Sequence, residues 1–477
     1  MSLRKAAFSG MVWTYSQQFG SQAISFVVSM VLARLILPEQ FGLIGMLGLF
    51  LGIGNALFNG GLTSSLIRTK TLTQEDYSTV FYFNFVGSVV VYAILYVLAP
   101  YIADFYHQPK LNLITRVYSL TFIISAFGTV QNTILNKELK FKKIAIINLP
   151  ALVISSGVGL FMAYHNYEVW SLVATALANA FFTSLFLWLN SDWYPKLVFS
   201  RDKFTQHFHY GYKLTLSGIL DTIFSNIYLI VIGRYYSAAQ VGYFTRANTL
   251  MMLPVGNISG ALNQVVFPLF SKVQDDLPRF KNAYKQIMLM VLFIITPIIV
   301  IMGLLAKPLI IVLFTVKWLP VVPIFQIICF TGILYPIHSY NLIVLQVKGR
   351  SDLFLRLEIY KKILLAIILV ISFFYGFYAL LWGQLIFSIL ALIINTHYAG
   401  RMLNYSLSRQ MLDILPIFAF AVLMGAIIYE VDNLLLLSAN IVRLLIGSMC
   451  GFLGYLAAAW IFKFQSIQDI KSIIFKK

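Results

Sequence analysis

Polar side chains recur at intervals of three and four residues inside the first long apolar run of this sequence. On a helix such residues share one face; here they are Thr14, Gln18, Ser21, Gln22, Ser25 and Ser29. Amide and hydroxyl groups in an apolar segment either hydrogen-bond between helices or line a polar cavity. Five amides from this and later runs are therefore candidates for a substrate cavity: Gln18, Gln22, Asn55, Asn132 and Asn257.

Basic and aromatic residues supply a second set of candidates. Eight basic residues lie away from the predicted cytoplasmic face, and the four of them that are candidates for the substrate cavity are Arg116, Arg246, Lys307 and Arg443. Guanidinium and ammonium groups match phosphate oxygens, so these residues could hold an anionic substrate. The alternative for each is that the side chain reaches the lipid headgroups. The segment "YPIHSYN" (335–341) predicts a proline break beside His338 and Asn341, and aromatic and amide groups of this kind suit a sugar.

One carboxylate, Asp221, lies near the middle of an apolar run. A charge at that depth costs at least about 2.5–3.5 kcal/mol, so a cavity or a partner is expected. We interpret Asp221 as a site for a coupling cation, Na⁺ or H⁺, or as the partner of a cavity arginine. A structural ion pair inside one half of the protein is the alternative. The sequence contains no Walker A loop, metal-ligand cluster or nucleophile elbow, so no cofactor and no resident metal are predicted.

The apolar runs that position these residues indicate a membrane protein. Hydrophobic residues make up 60% of the 477 positions and charged residues 11%, and the mean hydropathy is +0.83. A soluble domain has about 25% charged residues. Apolar stretches of about 20 residues recur along the chain, and each is long enough to cross a bilayer as a helix. We predict an all-α polytopic membrane protein with about 14 transmembrane helices.

The distribution of charge predicts the topology. The net charge is +18. If the N-terminus is cytoplasmic, the basic segments 137–143, 272–285 and 348–362 all face the cytoplasm, as the positive-inside rule expects. The charge then reflects topology and contact with anionic membrane lipids, and no nucleic-acid partner is predicted. Both termini are expected in the cytoplasm, with residues 464–477 as a basic amphipathic helix on the membrane surface or a disordered tail.

A motif recurs 200 positions apart. "ARLILPEQFGL" (33–43) and "GRYYSAAQVGY" (233–243) share three residues at a constant offset, so that Arg34, Gln40 and Gly42 correspond to Arg234, Gln240 and Gly242. This predicts an internal duplication. Six predicted spans separate the copies, so the repeats are parallel in the membrane. The predicted organisation is a six-helix lobe at 1–200, a second at 201–400, and two extra helices with the cytoplasmic tail at 401–477. The motif is interpreted as structural or gating.

The segments 4–46 and 135–145 ("LNKELKFKKIA") resemble bacterial oligosaccharide flippases. These form the polysaccharide transporter branch of the multidrug/oligosaccharidyl-lipid/polysaccharide exporter superfamily, and the similarity is greatest to colanic acid and lipopolysaccharide repeat-unit exporters. The resemblance implies a non-enzymatic flippase of the bacterial inner membrane. Its cargo would be an undecaprenyl-pyrophosphate-linked oligosaccharide, moved by alternating access for surface polysaccharide biosynthesis. Polymerase and chain-length machinery are the implied partners. The family's cavity is often cationic, whereas the first span here carries a neutral stripe.

Two other functions remain open from the sequence. One is a related exporter of peptidoglycan precursor or of drugs, although a drug exporter would need a more acidic cavity. The other is a membrane polysaccharide polymerase or glycosyltransferase. Such enzymes usually carry a sizeable extracytoplasmic loop or a cytoplasmic acidic motif, and the predicted loops here are short.

Overall fold

The computed structural model describes the backbone of residues 3–59 and 61–464 and the side chains of 13–57, 61–260 and 266–464. The predicted amphipathic segment at 464–477 therefore lies, apart from its first residue, outside the described residues. In the described residues the chain forms α-helices, one 3-10 turn and no strand, which confirms the all-helical prediction. The chain divides into two compact units, Met1–Gly242 and Tyr243–Lys477.

The first unit contains eleven helices in its described part. They are α1 Leu3–Leu35, α2 Pro38–Met46, α3 Gly48–Asn59, α4 Leu62–Arg68, α5 Gln74–Phe105, α6 Lys110–Tyr118, α7 Leu120–Lys137, α8 Phe141–Tyr164, α9 Val169–Leu189, α10 Arg201–Ser225 and α11 Ile227–Tyr235. A long helix, α12 Ala238–Val273, begins in this unit and continues into the second.

The second unit continues with seven further helices in the residues described. They are α13 Leu277–Leu304, α14 Ala306–Phe314, α15 Val321–Val347, α16 Ser351–Phe373, α17 Phe377–Leu403, α18 Leu407–Leu434 and α19 Asn440–Ile461. The 3-10 turn at Val316–Trp318 joins α14 to α15. Helix α15 packs against α13 and α17 and is buried along much of its length, so it forms the centre of this unit.

Ten spans in the described residues are long and apolar enough to cross a membrane, or eleven if α10 and α11, bent by 47° at Asn226, count as one. Three further long helices, α1, α12 and α16, do not meet this test. The reason is composition: α1 carries the polar stripe, α12 carries prolines and amides, and α16 begins with several charged residues. The protein is thus a multi-pass helical membrane protein, and the arrangement of fourteen spans in two parallel lobes stays a prediction.

Helix α10, which opens the predicted second repeat, packs in the first compact unit against α3, α4 and α5. Local signals define the start of this helix and of α5. Ser200 accepts a hydrogen bond from Lys203 N at α10, and Thr73 with Asp76 forms a capping box at α5. Close packing with α4 is possible because two glycines meet, and a Cβ on Gly61 would overlap the backbone of Gly211.

The two copies of the repeated motif contact each other where α12 begins. A Cβ on Gly42 would overlap the carbonyl oxygen of Ala238, and a Cβ on Gly242 would overlap that of Pro38. Pro38 and Ala238 are themselves 200 positions apart, so the contact is reciprocal. The Gly42 Cβ would also lie 3.1 Å from Gly242 N, and the Gly242 Cβ 3.2 Å from Gly42 N. The glycines recur because each copy provides one side of a backbone-to-backbone crossing.

Candidate functional site

A polar cavity of about 540 Å³ lies inside the first unit, among α3, α7, α8 and α9. We call it the amide cavity. Its polar lining includes four asparagines and several hydroxyl residues: Asn55, Asn132, Asn148, Asn179, Thr121, Ser125, Thr129, Thr175, Thr183 and Ser184. None of the described residues that line it carries a charge. The structure thus brings together two of the predicted substrate residues, Asn55 and Asn132.

Helix α7 places three polar residues on the cavity side because Ser125, Thr129 and Asn132 recur at helical spacing. The hydroxyl of Thr129 bonds back to the carbonyl of Ser125 at 3.0 Å, which leaves the Asn132 amide as the freer polar group of this row. On another side, Gly128 brings α7 close to α9, since a Cβ there would lie 2.7 Å from Leu187 Cδ1. Helix α7 therefore forms one wall of the cavity, with polar residues facing the cavity and Gly128 allowing close packing against α9.

Helix α1 presents the predicted stripe along a second, more open cavity of about 440 Å³ in the same unit. It is lined by Thr14, Gln17, Gln18, Ser21, Gln22 and Ser25. The Gln22 Oε1 atom is buried and has no hydrogen-bond donor in the described part of the chain. Five of the six residues of the predicted stripe thus lie on one face beside this cavity, and the role of Gln18 and Gln22 in binding stays a prediction.

None of the predicted basic residues is among the residues that line the amide cavity. The Arg116 guanidinium lies 4.2 Å from the centre of the Tyr96 ring. Its Nε–H also donates a hydrogen bond to the backbone carbonyl of Tyr96 at 3.4 Å. In the second unit, Arg246 is 7% exposed and stacks between Phe314 and Trp318, at 5.0 and 5.2 Å from the ring centres. These are cation–π contacts of the kind that stabilise packing.

Two other predicted residues of the second unit have local surroundings. Lys307 is exposed in the first turn of α14. The Asn257 amide donates to the Leu253 carbonyl of its own helix at 2.6 Å. Neither Lys307 nor Asn257 lines the cavity that is described below in this unit.

His338 and Asn341 belong to a buried polar network, and the predicted break at Pro336 is wrong, since α15 runs through it as a continuous helix. Asn341 is fully buried, accepts from Tyr284 at 2.8 Å and donates to Thr396 at 3.0 Å. The ring of His338 contacts Ser388 at 3.1 Å, and the Asn395 amide donates to its Nδ1 at 3.2 Å. These contacts join α13, α15 and α17 and occupy the polar groups that were predicted to bind sugar.

Arg443 is buried and forms a two-bond ion pair with Asp432 of the neighbouring helix, at 2.8 and 2.7 Å. The pair is bidentate and joins α18 to α19. A guanidinium held in this way is compensated within the protein, so a substrate phosphate would have to compete with Asp432.

The repeated polar residues differ in burial between the two copies of the motif. Arg234 donates to the Phe105 carbonyl at 2.6 Å and contacts His107, whereas Arg34 is exposed. Gln240 caps α12 by accepting from Ser237 N at 3.0 Å, whereas Gln40 is buried.

Asp221 is exposed on α10, five residues before the bend at Asn226. Its position in a helix that joins α11 as one broken span is consistent with a carboxylate inside the membrane region. The coupling role stays a prediction.

A buried charged cluster in the first unit escaped the sequence argument. The Asp76 side chain is 1% exposed. Its Oδ1 atom lies 3.1 Å from Lys203 Nζ and 3.2 Å from His207 Nε2. Its Oδ2 atom accepts hydrogen bonds from the backbone N–H and the hydroxyl of Thr73, both at 2.7 Å. The other ring nitrogen of His207 lies 2.8 Å from Ser65 Oγ. We call these residues the α10 clasp. Although serine, histidine and aspartate stand in the order of a hydrolase triad, all three are buried, so the cluster holds α10 against α4 and α5.

A basic cavity in the second unit also escaped prediction. It has a volume of about 470 Å³ and lies where α17 ends and α18 begins, with Arg401, Arg409 and His397 among its lining residues. The chain turns at Asn404, which has a left-handed backbone with φ 50° and accepts from Lys281 Nζ at 3.0 Å. Arg401 lies near the end of α17 and Arg409 near the start of α18, and the sequence offers no periodicity that would show that both line one cavity.

Comparison with known proteins agrees with this architecture. The chain is 26% identical to the lipopolysaccharide biosynthesis protein WzxC of Escherichia coli (strain K12) over 370 residues, which cover 76% of this chain and 74% of that protein. It is 25% identical to the teichuronic acid biosynthesis protein TuaB of Bacillus subtilis (strain 168) over 437 residues, 90% of each. The fold is similar to that of the lipid II flippase MurJ in an inward closed conformation, with a TM-score of 0.76, 17% identity, and coverage of 96% of this chain and all of that one.

Residues 31–323, more than half of the chain, match the family described as polysaccharide biosynthesis protein. The chain therefore belongs to the polysaccharide biosynthesis protein family.

Proposed function

We propose that this protein is a flippase that moves undecaprenyl-pyrophosphate-linked oligosaccharide repeat units across the bacterial inner membrane by alternating access. The observation that carries the proposal is the amide cavity, a hydrophilic space of about 540 Å³ within a bundle of apolar helices. Unpaired amides and hydroxyls facing such a space need a polar partner, and a glycan supplies many.

The names of the relatives support a cargo used to build surface polysaccharide. They are named for lipopolysaccharide and teichuronic acid biosynthesis, and a third, ExoT of Rhizobium meliloti (strain 1021), for succinoglycan biosynthesis transport. We place both termini in the cytoplasm, following the basic loops, and polymerase and chain-length machinery are the partners that would receive the exported unit.

The leaflet in which the lipid-linked glycan accumulates tests this function. In cells depleted of the protein, we expect repeat units to remain in the inner leaflet, protected from an impermeant glycosidase or lectin in intact spheroplasts, and surface polymer to be lost. The control is the same strain with the gene restored. Repeat units that reach the outer leaflet but stay unpolymerised would contradict flipping and indicate a polymerase. Unchanged glycan lipids would indicate an exporter of another cargo, such as drugs or peptidoglycan precursor.

We further propose that Asp221 couples transport to Na⁺ or H⁺. We expect Asp221→Asn to abolish the dependence of flipping on the pH and sodium gradients, because the amide cannot exchange a proton or neutralise a cation. The measurement is translocation in proteoliposomes with each gradient imposed separately. Asp202→Asn, which changes an exposed carboxylate in the first turn of the same helix, is the matched control. An Asp221→Asn protein that keeps the wild-type response to both gradients would rule out this coupling site.

A further inference from the structure

The amide cavity contains polar groups that the folded protein leaves without partners. In the described residues, no hydrogen bond involves the side-chain amides of Asn55, Asn132 or Asn148, although each lines the cavity. Asn179, in contrast, donates to Ser155 Oγ at 3.3 Å. Between apolar helices an unpaired amide costs free energy unless water or a ligand satisfies it. The cavity is therefore built to hold a hydrated or hydrogen-bonding occupant.

The chemistry of the lining defines that occupant. Each asparagine offers a donor and an acceptor about one hydroxyl spacing apart, which matches neighbouring hydroxyls of a sugar ring. Tyr118 and Phe122 add aromatic surface of the kind that packs on the C–H face of a sugar. The volume of about 540 Å³ falls within the usual range for ligand pockets, about 300–1,000 Å³.

The charge of the lining excludes other parts of the cargo. No described lining residue is basic, so a pyrophosphate would enter without a counter-charge, and the same holds for the carboxylate of a uronic acid. No described lining residue is acidic, so an organic cation is not favoured either. The cavity matches the uncharged, hydroxyl-rich part of a glycan.

We propose that the amide cavity is a subsite for uncharged glycosyl residues, held by Asn55, Asn132 and Asn148, and that the pyrophosphate is bound outside it. This inference rests on the proposed function, because it assigns a part of the cargo to a part of the chain. It predicts that the protein discriminates between neutral and acidic sugars at this cavity.

Saccharide binding to the purified full-length protein in lipid nanodiscs tests the proposal. The probes are diacetylchitobiose and maltose, both uncharged, and a hexuronic acid disaccharide, followed by saturation-transfer NMR and titration. We expect Asn132→Leu combined with Asn148→Leu to weaken binding of the uncharged probes at least tenfold. We expect the acidic disaccharide to bind at least tenfold more weakly than the uncharged probes to the wild-type protein.

Two further variants separate the cavity from general effects. Asn136→Leu removes an amide one turn along α7 that does not line the cavity, and it should bind as wild type. Ala180→Phe should fill the cavity without altering any amide and should weaken binding as the double variant does. It keeps the test valid if the double variant fails to fold. Uncharged probes that bind equally well to wild type and Ala180→Phe would overturn the subsite.

A second binding experiment distinguishes a free sugar from a lipid-linked sugar as the ligand. It compares the binding of free diacetylchitobiose with that of diacetylchitobiose attached to a polyprenyl pyrophosphate. Loss of both forms by the cavity variants assigns sugar recognition to the cavity, whether or not the sugar is attached to lipid. Loss of the lipid-linked form alone would assign the cavity to the lipid pyrophosphate part and overturn the sugar subsite. Retention of both overturns the proposal. Failure of the subsite can be distinguished from failure of the proposed function. If depletion traps repeat units in the inner leaflet but the cavity variants bind sugar as the wild type does, only the subsite is overturned. Cavity-dependent binding without trapping overturns the flippase alone.

Discussion

Asp76→Ala is expected to lower the free energy of unfolding by about 3–5 kcal/mol, the cost of removing one partner of a buried ion pair. The change leaves the Lys203 ammonium, the His207 ring and the backbone N–H of Thr73 without their shared acceptor. The His207 ring is fully buried, so water does not readily replace the carboxylate beside it. The measurement is unfolding of the purified protein in mixed detergent micelles.

Asp192→Ala is the matched control for the clasp. Asp192 also pairs with a lysine, Lys143 at 3.8 Å, but its side chain is 92% exposed, so its loss should change the unfolding free energy by less than about 0.5 kcal/mol. Asp76→Asn, which keeps the shape and one acceptor oxygen, should fall between the two. Equal stabilities of the Asp76→Ala and Asp192→Ala proteins would show that the clasp does not hold α10.

The contacts of the α10 clasp could not be predicted from the sequence. "QED" at 74–76 is echoed by "QDD" at 274–276, but the echo concerns helix starts. Asp276 caps α13 and pairs locally with Arg279, whereas Asp76 also reaches residues more than 120 positions away. Such partners depend on which helices pack together, and α10 packs against α4 and α5, two helices of the predicted first repeat.

The amide cavity was predictable in part. An amide in an apolar run is unusual enough to be noticed, which is why Asn55 and Asn132 were selected and lie together. Asn148 was missed because a single amide within a span is also typical of helix–helix contacts. At Asn341 the same ambiguity gave the opposite error. The residue was selected as a substrate residue, but its amide connects helices of the second unit. Residue type marks the polar positions, and only packing decides between a cavity and a contact.

The repeated motif shows a clearer relation between sequence and structure. A constant offset of 200 predicted duplication, and the motif could be noticed because its residues are matched in type. The sequence did not show that the two copies touch. Gly42 lies against Ala238 and Gly242 against Pro38, so each copy excludes a side chain at the position that its partner occupies.

Gly42→Ala and Gly242→Ala are therefore expected to destabilise the protein by about 1–3 kcal/mol each, the usual cost of overpacking, because the obstructing atoms are backbone and cannot move aside like the end of a side chain. Gly87→Ala is the control. Gly87 lies within α5, and a Cβ there would meet nothing within 4 Å, so alanine should leave stability unchanged or raise it by up to about 1 kcal/mol. Unfolding in mixed micelles and the yield of folded protein give the comparison.

The double variant tests whether the two glycines form one contact. If Gly42→Ala already separates α2 from the start of α12, the second substitution finds space, and the double variant should lose less than the sum of the two single losses. Strict additivity would mean that the glycines act independently and that their recurrence is inherited from duplication alone. A loss smaller than the sum would mean that the crossing itself requires two glycines, one from each copy, and this explains why the motif persists in both halves of the chain.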